Sequence, residues 1–434
     1  MNYYSLNHQS PLVSFKEATI QGQAPDKGLY FPEKLPQVSK ELIDNIENLS
    51  DVEIAFEIMK PYVAGSIPDE DLRPIVEETI SFPIPLEYIN EKIFSLELFH
   101  GPTLAFKDVG ARFMSRCLGY FLKNENREVT VLVATSGDTG GAVANGFYGV
   151  EGVNVVILYP KGRVSPVQEK QLTTLGKNIT ALEIEGSFDD CQRMVKQAFA
   201  DTEINANKFL TSANSINVAR WLPQQVYYFL AYKQWTQKQL LPVVCVPSGN
   251  FGNICAGLLA KVTGLPLGHF IAACNVNDIV SYYLQTRELI PKEAVATLSN
   301  AMDVGNPSNF VRIIELFHKQ FPELKNNLSA AAVTDTETIE TIKEVYKDYG
   351  YTLEPHGAVA YRALEQYLRN TAFGDKKAGF ILETAHPVKF PDAVEQATGT
   401  KVEIPESLNE MMRQEKRSVV LQPDFEALKN YLLG

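Results

Sequence analysis

From residue 93 onward the chain alternates short apolar, often β-branched runs with helical patterns, and this alternation constrains its fold more than any other feature. "KIFSLEL", "EVTVLVAT", "VNVVILYP", "NITALEIEG", "PVVCVPSGNFGN", "GHFIAACN" and "AGFILET" read as strands. Between them lie the helical patterns "GAVANGFYG", "SPVQEKQLTTLG", "FDDCQRMVKQAFA", "ICAGLLAKVTG" and "TETIETIKEVYKDYG". Strands alternating with helices imply βαβ units, parallel sheets and right-handed crossovers, an α/β fold class. In such sheets ligands bind outside the carboxyl ends of the strands, so the turns there are the places to look for chemistry. Ahead of this region, residues 1–92 form a separate small unit: an extended opening rich in Pro and Gly, then the helical patterns "ELIDNIENL" and "VEIAFEIMKPYV". The polar, proline-containing "SIPDEDLRPIV" and "SFPIPLEYIN" read as the connection leading out of it.

Several functional classes are disfavoured by composition. A formal charge of -12 argues against a nucleic-acid binder, which needs clustered Lys and Arg. The five cysteines, Cys117, Cys191, Cys245, Cys255 and Cys274, contain no CxxC pair, so neither a zinc site nor a disulfide framework is expected, and no metal is assigned. The opening lacks the basic and apolar regions of a secretory signal, and no apolar run reaches membrane-spanning length. A cytoplasmic location with no membrane partner is the expectation.

"HGPTLAFKDVG", residues 100–110, runs into a helix in which Val109, Phe113, Met114, Cys117, Leu118, Phe121 and Leu122 recur at helical spacing. Lys107 therefore stands at or just inside a helix start, where the positive end of the dipole and apolar neighbours press an amine to give up its proton. Such an amine can form a Schiff base with an aldehyde, although an arbitrary lysine far more often reaches out to solvent. "PSGNFGN", residues 247–253, follows an apolar strand and opens a small-residue helix. Gly249 and Gly252 let its N–H groups converge as a phosphate cradle, though a plain tight βα turn reads equally well. No pair of glycines two apart, no Walker motif, no HExxH and no GxSxG occurs, which counts against nucleotide P-loops, dinucleotide folds, zincins and α/β-hydrolases.

"ATSGDTGG", residues 134–141, sets Ser136, Gly137, Asp138 and Thr139 at another helix start, either as a carboxylate receptor or as an ordinary N-cap. In "TSANSINVARWLPQ", Asn214, Ser215, Asn217 and Arg220 could hold a dianion, or the segment could be a polar loop capping a helix. "EPHGAVA" and "ETAHPVKF" put His356, His386 and Thr384 at element boundaries. Both histidines are candidate bases, but a lone histidine beside a proline turn is more often structural, and no third group is in view to orient either.

Taken in order, "LFHGPTLAFKDVGARFM", "ATSGDTGGAVA", "NSINVARWLPQ", "PSGNFGN", "EPHGAVA" and "ETAHPVKF" resemble the motifs of the threonine synthases, and the opening through "YFPEKLP" is similar to their N-terminal region. The resemblance spans nearly the whole chain. It implies a pyridoxal 5'-phosphate enzyme of the tryptophan-synthase-β type: two doubly wound parallel-sheet α/β domains with the cofactor between them, plus a small N-terminal domain. It divides residues 93–434 into a smaller subdomain (about 108–220) inserted in a larger one (about 93–107 and 221–434). Lys107 is then the lysine that binds the cofactor aldehyde, and Gly249, Asn250, Phe251, Gly252 and Asn253 resemble the phosphate loop. Thr384 would face the pyridine nitrogen, a neutral hydroxyl that leaves it unprotonated. Ser136, Gly137, Asp138 and Thr139 resemble the loop for the substrate carboxylate. Asp138 would also lie near the cofactor's 3′ oxygen, where repulsion from a phenolate implies that one of the two carries a proton. Asn214, Ser215, Asn217 and Arg220 become candidates for the substrate phosphate. The implied reaction converts O-phospho-L-homoserine and water to L-threonine and phosphate, in a monomer or homodimer. A serine/threonine dehydratase or phospho-lyase of the same fold, or an inactive regulatory protein on that scaffold, are the alternatives.

Overall fold

The computed structural model describes residues 1–123, 128–369 and 377–434. Three short strands, β1 (Asn2–Ser5), β2 (Val13–Ser14) and β3 (Tyr30–Pro32), form an antiparallel sheet in the order β2-β1-β3. Strands β4 (Leu86–Tyr88) and β5 (Ile93–Glu97) follow, then β6 (Val129–Ala134), β7 (Val153–Pro160), β8 (Ile179–Ile184) and β9 (Phe209–Thr211). The remaining strands are β10 (Val243–Pro247), β11 (Phe270–Cys274), β12 (Leu328–Ala332), β13 (Gly379–Glu383) and β14 (Val419–Leu421).

These build two larger sheets. One has the order β14-β8-β7-β6-β9 and is parallel throughout; the other has the order β12-β11-β10-β13-β5-β4, with only β4 antiparallel. Every residue of β6, β10 and β13 is buried, as expected of strands covered by helices on both faces. This is the expected α/β architecture.

In both sheets the chain reverses direction. It lays β6, β7 and β8 to one side, then returns to put β9 on the other side of β6. Likewise β10, β11 and β12 run one way before β13 takes the free side of β10, next to β5. Each reversal opens a crevice at the carboxyl ends of the strands. The turns after β6, β9, β10 and β13 are "TSGDTGG", "SANSINV", "SGNFG" and "TAHP", so topology alone brings these scattered segments to two facing crevices.

The helix starts follow local chemistry. Ser165, Ser187 and Thr334 close capping boxes at Pro166–Thr173, Phe188–Ala200 and Asp335–Tyr349. "SIPDEDLRPIV" is not a connection. It forms most of the helix Asp69–Thr79, whose acidic first turn suits the dipole and whose Leu72, Ile75, Val76 and Thr79 are buried. The N-terminal unit packs on the Lys107 helix, with the Phe15 ring 6.4 Å from Phe113 and 6.1 Å from Phe121. All five cysteines are buried and free. Among the described residues no helix is long and apolar enough to cross a membrane, and no cluster of three or more His, Cys, Asp or Glu could hold a metal.

Candidate active site

A cavity of about 1090 Å³ lies where the two crevices face each other. Lys107 lines it as the first residue of the helix Lys107–Leu122. The segment before it is sewn to the end of β13. His386 N–H donates to Leu104 O at 3.1 Å, Phe106 N–H donates to Thr384 O at 2.9 Å, and Ala105 bridges Ala385. Tyr227 Oη–H also donates to Phe106 O. Backbone pairing thus brings Lys107 and Thr384 to one cavity. The Lys107 amine sits 4.6 Å over the Phe106 ring. Burial pushes its pKa below the ordinary lysine value; Asp138 and Glu354 pull it up, while Lys389 and Arg220 push it further down.

Asp138 begins the helix Asp138–Phe147. Its Oδ1 receives Lys389 Nζ at 2.7 Å and Gln168 Nε2 at 2.9 Å. Burial disfavours its charge, but Lys389 and Lys107 outweigh burial and hold it well below the usual carboxylate range. Lys389 is thus a buried counter-charge for this carboxylate. Lys389 also donates to Thr103 O at 2.8 Å, and Gln171 donates to the same oxygen at 2.9 Å. Ser136, Asp138 and Thr139 line the cavity, but Gly137 does not. The Gly137 N–H donates to Thr135 Oγ1 at 3.0 Å, and its φ of 140°, with Gln168 Cδ 2.5 Å from where a Cβ would stand, admits only glycine.

All five residues of the 249–253 loop line the cavity. Phe251 takes a left-handed φ of 61° and delivers the start of the helix Gly252–Val262, whose first N–H groups have no partner within the helix. A Cβ on Gly249 would lie 2.7 Å from Ala301 O and 2.8 Å from Met302 Cα. Asn253 Oδ1 accepts from Tyr228 Oη at 2.8 Å, while its buried Nδ2 has no protein acceptor.

Asn214, Ser215 and Arg220 line the cavity as well. Ser215 Oγ accepts from Asn309 Nδ2 at 2.9 Å, and the Arg220 guanidinium donates from Nη1 to Ala213 O at 2.6 Å. Burial lowers the Arg220 pKa to about 10, and its buried Nε has no acceptor. Asn217 is a correction. It is fully buried away from the cavity, its Nδ2 donating to Thr19 O at 2.8 Å and its Oδ1 capping Ala219 N–H at 3.0 Å, which leaves it no free group for a ligand.

His356 does have an orienting partner. Glu354, two residues earlier, accepts its Nδ1–H at 2.6 Å, and the opposite ring nitrogen accepts Ala301 N–H at 3.1 Å. His386 is structural: its Nδ1 accepts Val388 N–H at 3.1 Å, and burial pushes its pKa down to about 4. Arg312 is another residue with no signal in the motifs. Fully buried and 4.5 Å over Trp221, it donates to Tyr30 O, Ser215 O, Ile216 O and Asn309 Oδ1, joining the N-terminal sheet to the loop after β9.

A buried lysine whose pKa burial lowers, a glycine turn with an unpaired buried amide at a helix start, and a hydroxyl at a strand end fit a phosphate-bearing aromatic aldehyde. The family model for pyridoxal-phosphate dependent enzymes matches residues 83–383, that for the threonine synthase N terminus residues 2–80, and that for the threonine synthase C-terminal region residues 357–432. The threonine synthase of Haemophilus influenzae is 45% identical over 434 residues, covering 100% of both chains. The crystal structure of threonine synthase from Escherichia coli is similar at a TM-score of 0.92 and 46% identity, covering 100% of this chain and 99% of that one. The structure of PLP-bound threonine synthase from Brucella melitensis is similar at a TM-score of 0.93 and 37% identity, covering 100% and 98%.

Proposed function

The chain belongs to the threonine synthase family of pyridoxal-phosphate enzymes, and from that premise we propose how its residues divide the work. The reaction is the conversion of O-phospho-L-homoserine and water to L-threonine and phosphate. When bound, pyridoxal phosphate supplies an electron sink for the charge that builds on the substrate carbons next to the amine. Lys107 would hold its aldehyde, Gly249, Asn250, Phe251, Gly252 and Asn253 its phosphate, and Thr384 would face its ring nitrogen.

Lys107 serves as the base at substrate Cα, a role suited to an amine whose burial already favours the neutral form. The same amine moves the proton at Cβ before phosphate leaves Cγ, and it returns a proton once water has added at Cβ. Ser136 and Thr139 receive the substrate carboxylate, while the Lys389–Asp138 pair keeps that corner electrically neutral toward an anion. Asn214, Ser215 and Arg220 take the phosphate of the substrate, with the unpaired Arg220 Nε as the donor in reserve. Residues 1–92 would support the site from outside, with the smaller unit of about 108–220, whose sheet the C-terminal strand β14 joins, and the larger one (about 93–107 and from 221 up to that strand) enclosing it. The setting is cytoplasmic, with a monomer or homodimer acting on a small molecule and no nucleic-acid or membrane partner.

The observation that carries the reading is the depressed Lys107 amine in a cavity built from both switch points; an inactive scaffold would have no need of it. Incubating the purified protein with O-phosphohomoserine tests the reaction. Threonine and phosphate in equal amounts are expected, whereas 2-oxobutyrate would mark a phospho-lyase and no phosphate release would sink both.

A further inference from the structure

Packing alone does not account for Gln224. It lies in the short helical turn Leu222–Gln225, is 4% exposed and lines the cavity. Its Nε2 donates to Arg220 O at 2.8 Å. Only the nitrogen of a carboxamide can donate to a carbonyl, so this bond fixes which way the amide points and leaves Oε1 as the free atom. That oxygen is buried and has no donor among the described residues. An unpaired buried acceptor costs free energy, and Met or Leu of similar volume would fill the same space without it.

The amide stands on the Lys107 side of the cavity. Gly110 lies one helical turn beyond Lys107, on the same face of that helix. A Cβ on Gly110 would lie 2.6 Å from Arg220 O, the atom that Gln224 holds, and 3.2 Å from Arg220 Nε. The Arg220 charge is also near enough to push the Lys107 pKa down. Gln224 therefore puts an unpaired acceptor into the corner where Arg220 Nε puts an unpaired donor. The two atoms ask for different partners. An ionised phosphate or carboxylate only accepts, so it suits Arg220 and is repelled by a carboxamide oxygen. The substrate amine is engaged at the cofactor aldehyde. Water is the reactant that remains, and it has O–H groups to give.

We infer that Gln224 Oε1 holds one O–H of the water that adds at substrate Cβ, and so turns a lone pair of that water toward the carbon. This rests on the reading of the reaction as threonine synthesis. After phosphate has left Cγ and Cγ has been reprotonated, a Cα–Cβ double bond remains. A water lone pair forms the O–Cβ bond, and the π pair of the double bond moves to Cα, which takes up a proton from Lys107. The O–H held by Gln224 stays as the new hydroxyl, while the other O–H gives its proton to the base that the reaction already requires at this step. Gln224 itself gains and loses no proton. Water that is not held in place adds late, and the unsaturated amine then escapes to hydrolyse to 2-oxobutyrate and ammonium. Gln224 thus sets the choice between a synthase and a phospho-lyase.

The test is the ratio of 2-oxobutyrate to threonine that the cofactor-loaded protein makes from O-phosphohomoserine. A product ratio counts only folded, working molecules, so partial loss of fold does not blur it. Gln224→Met removes the acceptor and raises the ratio by about 3- to 10-fold, the worth of one neutral hydrogen bond, with little change in KM. Gln224→Glu keeps an acceptor oxygen and brings the ratio back toward wild type, but raises KM because its charge faces the phosphate. An unchanged ratio in Gln224→Met overturns the proposal, and a risen KM with that unchanged ratio assigns Gln224 to the phosphate instead. An equal rise in both variants also overturns it, since lost packing and not the lost acceptor is then the cause. Wild-type protein that releases phosphate but yields 2-oxobutyrate alone overturns the underlying reading, whatever the variants do.

Discussion

Replacing Lys389 by Met should expose how much the buried pair with Asp138 contributes. The side chains are 0% and 6% exposed, and Lys389 makes two bonds there, 2.7 Å to Asp138 Oδ1 and 2.8 Å to Thr103 O. Met keeps the stem's volume but strands a carboxylate in a dry site, a change that costs ~3–5 kcal/mol when one partner of a buried pair is removed. With an m-value of about 3 kcal/mol/M, that lowers the urea midpoint by more than about 1 M. The cofactor-loaded protein is the one to use, because under the proposed assignment Lys107 is then engaged with the aldehyde and is not free to move toward Asp138.

The pH dependence carries the sign. In the wild type the Asp138 pKa is depressed, so its contribution is fully present above the unfolded value of about 3.9 and constant between pH 5 and 8. Without Lys389, burial dominates and the folded pKa rises above the unfolded one. The folded variant then takes up a proton as pH falls, so its penalty is largest at pH 8 and shrinks toward pH 5. The double variant Asp138→Asn/Lys389→Met recovers most of the loss and shows no such trend. A penalty under about 1 kcal/mol, or one equal at pH 5 and 8, would refute the reasoning.

Arg312→Leu removes the donor for four acceptors at once and should cost ~3–5 kcal/mol in urea unfolding, through loss of the N-terminal packing. Gly249→Ala sets a Cβ 2.7 Å from Ala301 O, so the loop must shift; cofactor titration should show weaker binding, with ~1–3 kcal/mol of strain. Arg220→Ala should raise KM by about 10- to 150-fold, the worth of one charged hydrogen bond at ~1.5–3 kcal/mol. Asn217→Ala should leave KM unchanged and lower stability by ~1 kcal/mol, the cost of a lost cap.

Much of the site was legible because its residues are grouped in short turns whose location follows from strand order. Lys107 announced itself by a position that helix electrostatics disfavours for a cation. Lys389 could not be read this way: its role depends on meeting Asp138 from the other sheet, and "HPVKF" alone shows only a lysine after a proline turn. Glu354 carried a faint signal, since an acid before Pro at a helix start is well placed to take first-turn N–H groups, and this supplies the partner that His356 lacked in sequence. Asn217 illustrates the opposite case, where cap and ligand chemistry use the same residue type and only burial separates them. The strand "LSAAA" escaped detection because its small residues have no β-branched pattern, and the helix Asp69–Thr79 because two prolines masked its apolar stripe.

The central claim is that the Lys107 amine is the one the cofactor aldehyde occupies. Borohydride reduction of the holoenzyme fixes the C=N bond between them, and peptide mapping then locates the label. A pyridoxyl group on the peptide containing Lys107, and absent from a Lys107→Ala variant, is the predicted result. Label on Lys292, Lys196 or another lysine at the cavity, with Lys107 unmodified, would contradict it.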